Sequence, residues 1–191
     1  MSQGVKTILV IIGAIAVLVV GSILWGIGQY NKIVRMDEQV NAQWAQVENQ
    51  LKRRFDLIPN LVETTKGYAK HEKDLFENIA NARTKYFQAN RRADKIRAAG
   101  DFERALSRIM MLQERYPQLK ANESFLKLQD SLEGTENRIA VERKRYNDAV
   151  RAVNTYRRTV VGRFFAALAG VEKAQYFKPP AAETKVPKVK F

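Results

Sequence analysis

Apolar residues recur along most of this chain in alternating steps of four and three. Counting from Val40 gives Trp44, Val47, Leu51, Arg54, Ile58, Leu61, Thr65 and Tyr68, and seven of the nine positions are apolar. That spacing predicts one face of a helix packed in a bundle, over about Asn31 to Tyr68. Upstream, Ile8 to Ile27 is nearly all apolar, and no charged side chain occurs from Thr7 to Asn31. About 20 helical residues at ~1.5 Å each span the ~30 Å hydrocarbon core of a bilayer. The body's first helix is therefore expected to continue a membrane helix without a break. A second helix is predicted from about His71 to Ile96, with Leu75, Ile79, Ala82, Tyr86, Ala89, Ala93 and Ile96 inward. Ala98-Ala99-Gly100-Asp101 reads as a turn, with Asp101 capping a third helix that runs to Tyr116. Its inward positions are Phe102, Ala105, Ile109 and Leu112. Pro117 ends it, and Asn122 is the expected cap of a fourth helix. That helix repeats the long pattern through Phe125, Leu128, Leu132, Thr135, Ile139, Glu142, Tyr146, Ala149, Val153, Tyr156 and Val160. The expected fold is all-α: an N-terminal transmembrane helix followed by an up-down antiparallel four-helix bundle.

Charge interrupts these stripes in few places. Arg54 lies on the first, next to Pro59, which removes a backbone donor. Glu142 lies on the fourth. If the bundle is antiparallel and Ile33 lies level with Val160, paired numbers sum to roughly 193–196 and Arg54 meets Glu142. Asp56, Asn60, Glu136, Arg143, Asn147 and Asn154 fall on neighbouring turns. Together with Arg54 and Glu142 they are the expected structural polar core, a network that fixes helix register. The competing reading makes this set a ligand or proton site.

The organisation expected along the chain is an anchor over 1–30, a bundle over 31–160, a membrane-proximal apolar segment over 161–177 and a disordered basic tail over 178–191. Trp25 and Tyr30 end the apolar span, where amphipathic aromatics anchor at the interface. A cleaved signal peptide is the weaker reading, because the stretch is long and no small-x-small site follows it. In the 161–177 segment, Phe164, Phe165 and Leu168 either lie in the interface or fold back on the bundle. Three prolines and four lysines make the tail unsuited to a packed core.

Composition narrows the chemistry. The 191 residues include no cysteine and one histidine, His71, and the formal net charge is +13. A disulfide, a thiol nucleophile and an acylated lipoprotein cysteine are excluded. His71-Glu72 lacks a second histidine four residues on, so no metal and no cofactor are expected. No Walker A, Rossmann or Ser-His-Asp pattern occurs, and no enzymatic activity is expected. The basic balance points instead to an anionic surface. Lys32 and Arg35 flank the span. Arg91, Arg92, Lys95 and Arg97 lie near the turn after the second helix, and Arg151, Arg157, Arg158 and Arg163 end the fourth. In the expected topology all ten face the bilayer end and attract anionic lipid. A nucleic-acid partner is disfavoured, since no recognised binding motif is present.

Several segments also share one pattern. Tyr30-Asn31-x-Ile33-Val34 follows the span; then come Arg53-Arg54-x-Asp56-Leu57-Ile58-Pro59-Asn60-Leu61-Val62 and Lys66-Gly67-Tyr68-Ala69-x-His71-Glu72. Tyr116-Pro117-x-Leu119-Lys120-Ala121, Glu136-x-x-Ile139, Arg143-x-x-Tyr146-Asn147, Val153-Asn154 and Tyr176-Phe177 complete it. Over about residues 8–177 the chain resembles the LemA family. The resemblance implies an N-terminal membrane helix carrying a small antiparallel helical bundle in a bacterial membrane, with no established biochemical role. Members often carry Phe-Pro after the Tyr-Asn repeats, where this chain has Thr159-Val160-Val161-Gly162. The expected function is non-enzymatic interaction or scaffolding at the bacterial inner membrane. The expected partners are the bilayer and either another membrane protein or further copies of the chain. The body is expected to be cytoplasmic, with the amino terminus outside.

Overall fold

A computed structural model of the chain describes residues 3–178. The expected disordered tail, 178–191, lies outside that range apart from Lys178. Among the described residues the regular structure is entirely helical, in eight elements. These are α1 (Gln3–Asp56), α2 (Ile58–Lys66), α3 (Lys73–Gln88), α4 (Arg92–Met110), α5 (Leu112–Arg115), α6 (Pro117–Lys120), α7 (Glu123–Arg158) and α8 (Val160–Leu168). They divide into two compact units. Met1–Ala42 with Asp148–Ala174 makes the first, and Gln43–Asn147 with Gln175–Phe191 the second.

In the first unit the apolar run of α1 is exposed. Ile8, Ile12, Ile15, Leu18, Ile23 and Leu24 all lie bare, and among the described residues this is the one helix long and apolar enough to cross a membrane. Burial begins further on, at Ile33 and Val40, matched by Val150 and Val153 of α7. The Tyr156 hydroxyl donates to Gln29 Oε1 at 2.7 Å, and Lys32 Nζ lies 4.7 Å above the same ring. α7 ends at Arg158. Thr159 turns extended and its hydroxyl accepts from the Gly162 amide at 2.9 Å, capping α8. A Cβ at Gly162 would stand 1.9 Å from the Tyr156 carbonyl, so only glycine fits this turn. α8 closes on Gly170 at φ 67°, with Val171 N–H donating to Ala166 O and Gly170 N–H to Ala167 O. That pair of bonds is a Schellman motif.

In the second unit α1 stops at Asp56 and α2 starts at Ile58, so the single helix expected through Pro59 is two. Pro59 sits in the first turn of α2, where its missing N–H costs nothing. The bend does not spoil the predicted stripe: every member from Trp44 to Thr65 is buried, and Tyr68 is exposed. α3 and α4 pack on each other. Their connection differs from the expected one. The chain reverses through extended Ala89 and Arg91, and α4 runs straight through Ala98-Ala99-Gly100-Asp101. Ala98 and Ala99 are buried, so these small side chains serve packing rather than turning. No glycine or proline marks the true reversal. Phe55 anchors the interior, with ring centroids 4.4 Å from Phe102 and 4.6 Å from Tyr86. Asn122 caps α7 as expected, accepting from the Phe125 amide at 2.9 Å.

Gly162→Ala forces its new methyl into a backbone carbonyl. The variant is expected to lose roughly 1–3 kcal/mol, the usual cost of overpacking. A thermal melt of the detergent-solubilised chain checks this, and an unmoved transition refutes the steric reading.

Candidate functional site

The polar centre of the second unit is Arg54. Its position on the α1 stripe turns it inward, and the residue is 7% exposed. A guanidinium there needs acceptors, and two glutamates supply them. Nη1 donates to Glu136 of α7, and Nη2 lies 3.0 Å from Glu103 Oε2 of α4. One cation thus ties three helices. Arginine suits this place because its planar fork offers donors in two directions and stays charged at any physiological pH.

The expected partner, Glu142, is elsewhere. It lies six residues beyond Glu136, about 9 Å along a helix, and accepts from Arg145 at 2.8 Å on its own helix. The register explains this. Trp44 meets Tyr146 and Arg54 meets Glu136, so paired numbers sum to 190 rather than 193–196. Taking Ile33 as level with Val160 was wrong, because Val160 belongs to α8 and is 89% exposed. Asp56 and Asn60 are exposed and take no part in the cluster. Asp56 is two residues from Arg54, and such neighbours point to different sides of a helix.

Asn147 and Asn154 have another use. The Asn147 amide donates to Phe177 O and accepts from Phe177 N, both at 2.9 Å. In the first unit Asn154 holds Ala174 in the same way, at 2.8 and 3.0 Å. Each carboxamide mimics the edge of a strand and satisfies both backbone groups of a residue that has no helix to supply them. Around Asn147, the Tyr146 hydroxyl donates to Gln175 O at 2.6 Å, and Arg143 lies 6.0 Å over the Phe177 ring.

The basic set also divides. Arg92 turns inward over Trp44 and Tyr146, at 5.7 and 6.0 Å, and Lys95 binds Glu48. Neither is a free lipid-facing cation, because aromatic faces and a carboxylate already engage them. Arg97 and Arg151 pair with Asp94 and Asp148 three residues back, while remaining well exposed. Arg91 is exposed in the second unit, and Arg35, Arg158 and Arg163 in the first; Arg157 there is half-buried. Burial pushes the Tyr146 hydroxyl up, against the pull of Arg92 in the opposite sense. Tyr86 is pushed up further, by burial first and by Glu48 second.

Sequence reasoning missed Glu103 and Glu48. Placing a helix start at Asp101 put Glu103 in a terminal turn, where an acidic residue needs no special reason. The asparagine clamps did carry a signal: Asn147 and Asn154 are seven residues apart, on one helical face.

The LemA family profile matches residues 43–191. Two Paramagnetospirillum magneticum proteins, Magnetosome protein MamQ 2 and Magnetosome protein MamQ 1, are each 26% identical to the chain, over 83% of it and 68% of their own length. Magnetosome protein MamQ of Magnetospirillum gryphiswaldense is 25% identical over the same shares.

Arg54→Ala leaves two carboxylates facing each other without their cation. It is expected to cost about 3–5 kcal/mol, read as a fall in thermal or denaturant midpoint; an unchanged midpoint refutes the assignment. The Tyr86 hydroxyl has no hydrogen-bond partner among the described residues, so Tyr86→Phe is expected to leave stability unchanged or raise it. Its phenol is harder to ionise folded than unfolded. Stability is therefore whole below the ordinary value of 10.0 and falls as pH rises above it. Tyr86→Phe should flatten that alkaline loss; denaturant titrations at several pH values measure it.

Proposed function

Since the chain belongs to the LemA family, we propose that it is a single-pass membrane protein whose body is an antiparallel four-helix bundle serving interaction rather than catalysis. The bundle would be built from α1 with α2, α3, α4 and α7. The observation that carries this reading is the bare apolar run of α1, whose unburied leucines, isoleucines and valines a bilayer would cover.

The first unit supports the same reading a second time. Phe165 of α8 packs edge-on against Trp25, with centroids 6.1 Å apart, at the end of the apolar run. With Phe165 turned inward, Val160, Phe164 and Leu168 form an exposed stripe at four-residue spacing. A short apolar helix beside the end of a membrane span fits the interface. Lys32, Arg35, Arg158 and Arg163 belong to the same unit, and cations near a bilayer attract anionic lipid by about 1 kcal/mol each. We place the body on the cytoplasmic side of a bacterial inner membrane, with the amino terminus outside. Its work there is scaffolding: docking another membrane component or further copies of itself.

The cysteine-free chain makes the test direct. Single variants Arg91→Cys and Phe164→Cys are treated in intact spheroplasts with a membrane-impermeant maleimide. Position 91 should label only after the membrane is opened, and position 164 only after detergent. Labelling of position 91 in intact cells reverses the orientation, and free labelling of position 164 removes α8 from the bilayer. Cross-linking from position 91 in native membranes then tests the interaction role, which fails if no protein is captured.

A further inference from the structure

The second unit carries an open trough of about 690 Å³ between α2 and α3. Its floor is apolar: Ile58 and Phe76 lie buried beneath it, and Pro59, Val62 and Ala80 line it. Lys66, Lys70, Lys73 and Arg83 stand around this floor, against the single carboxylate of Glu77.

The trough concentrates positive charge around one apolar surface. Several cations nearby have carboxylate partners: Arg97 with Asp94, Arg104 with Asp101, Arg115 with Glu72 and Lys95 with Glu48. Among the described residues none of the four cations of the trough makes an ion pair. Arg83 is engaged by the Phe87 ring, 5.1 Å below its guanidinium. Three lysines without an ion pair face an apolar floor that carries one carboxylate, which leaves the trough with a surplus of positive charge.

The geometry points to an acidic amphipathic helix of a partner protein as the occupant. A trough open along one side covers one face of what lies in it. That suits a helix laid in a groove better than a small molecule, whose surface a pocket buries almost entirely. α2 has nine residues, so two to three turns of a partner helix, about 8–11 residues, match its length. Leucine-type anchors at helical spacing would meet Val62 and Ala80, and flanking glutamates or aspartates would meet the lysines. The chain's own tail does not fit this description, since Lys185, Lys188 and Lys190 outnumber its one acid, Glu183. A second copy, itself at a net +13, is a poor complement to this basic trough. Phe76 is 6% exposed and offers no stacking face to nucleic acid. This inference deepens the interaction role proposed above by giving the partner's chemistry.

The test uses the full chain in nanodiscs and three labelled 14-residue peptides. One places leucines at helical spacing among glutamates, the second scrambles that order, and the third replaces glutamate by lysine. Only the first should bind, and more weakly as salt rises. Lys66, Lys70 and Lys73 are exposed, so a K66E/K70E/K73E variant keeps its fold, and it should lose affinity by roughly tenfold or more. Val62→Arg, which fills the floor, should do the same. Equal binding of the scramble, or undiminished binding by the triple variant, overturns the proposal. Flotation of the chain with anionic vesicles is measured alongside. The triple variant should float unchanged, and loss of flotation would make the bilayer the occupant and overturn it too. Failure of the peptide with flotation intact leaves the membrane reading standing.

Discussion

A guanidinium buried among helices has to be met by acceptors, and that requirement fixes where three helices of the second unit stand. Arg54 cannot shed its proton, so it cannot escape the cost of burial by becoming neutral. Glu103 and Glu136 meet it from two helices distant in sequence. A slip of α7 by four residues in either direction would take Glu136 away and bring Leu132 or Ala140 to the guanidinium. Apolar stripes alone tolerate such a slip, because one leucine replaces another at little cost. Charge is what narrows the alignment. The cluster holds one positive and two negative charges, and the carboxylates stay partly exposed, at 21% and 33%. Water can therefore share in solvating the excess negative charge, which a dry core could not support.

The periodic parts of this molecule were legible in the sequence. Steps of three and four placed the α1 and α7 stripes, and the structure buries Val40, Trp44, Val47, Leu51, Phe125, Leu132, Ile139, Tyr146 and Val153. Such patterns can be read because burial of a helical face is a local, repeating demand. Turns were less legible. Ala98-Ala99-Gly100-Asp101 has the composition of a loop, yet α4 passes through it, because small residues are also what a close helix contact selects. The real reversal at Ala89-Asn90-Arg91 lacks a strong breaker, so only the packing of α3 on α4 reveals it.

Register was the least legible feature, for a different reason. The stripe on one helix says which face is inward but not how far the partner is shifted along it. That information lies in a few specific contacts between residues far apart in number. The sequence placed Arg54 on one stripe and Glu142 on the other, with Asp56 and Glu136 on neighbouring turns. Selecting Glu142 rested on matching the ends of two helices, and the end of α7 was misjudged because Val160 begins a new helix. Thr159 and Gly162 mark that boundary: a hydroxyl that caps and a glycine that lets a carbonyl approach. Neither breaks the apolar pattern, so periodicity runs straight over them.

The asparagine clamps show how a helical protein can hold an extended segment without a sheet. After Gly170 the chain has left its helices, and its backbone amides and carbonyls must find partners or water. Asn154 supplies both partners to Ala174, and Asn147 supplies both to Phe177. A carboxamide is the right group because it presents a donor and an acceptor side by side, as a peptide unit does. An aspartate at either place would keep the acceptor but offer the carbonyl a charge instead of a donor. In the second unit the anchored Phe177 then adds its ring to Trp44 and to the guanidinium of Arg143. Two polar residues read from the sequence as core electrostatics thus act as backbone surrogates. The distinction is physical: charged groups in this molecule select the alignment of helices, and neutral amides complete the hydrogen bonding of the chain that leaves them.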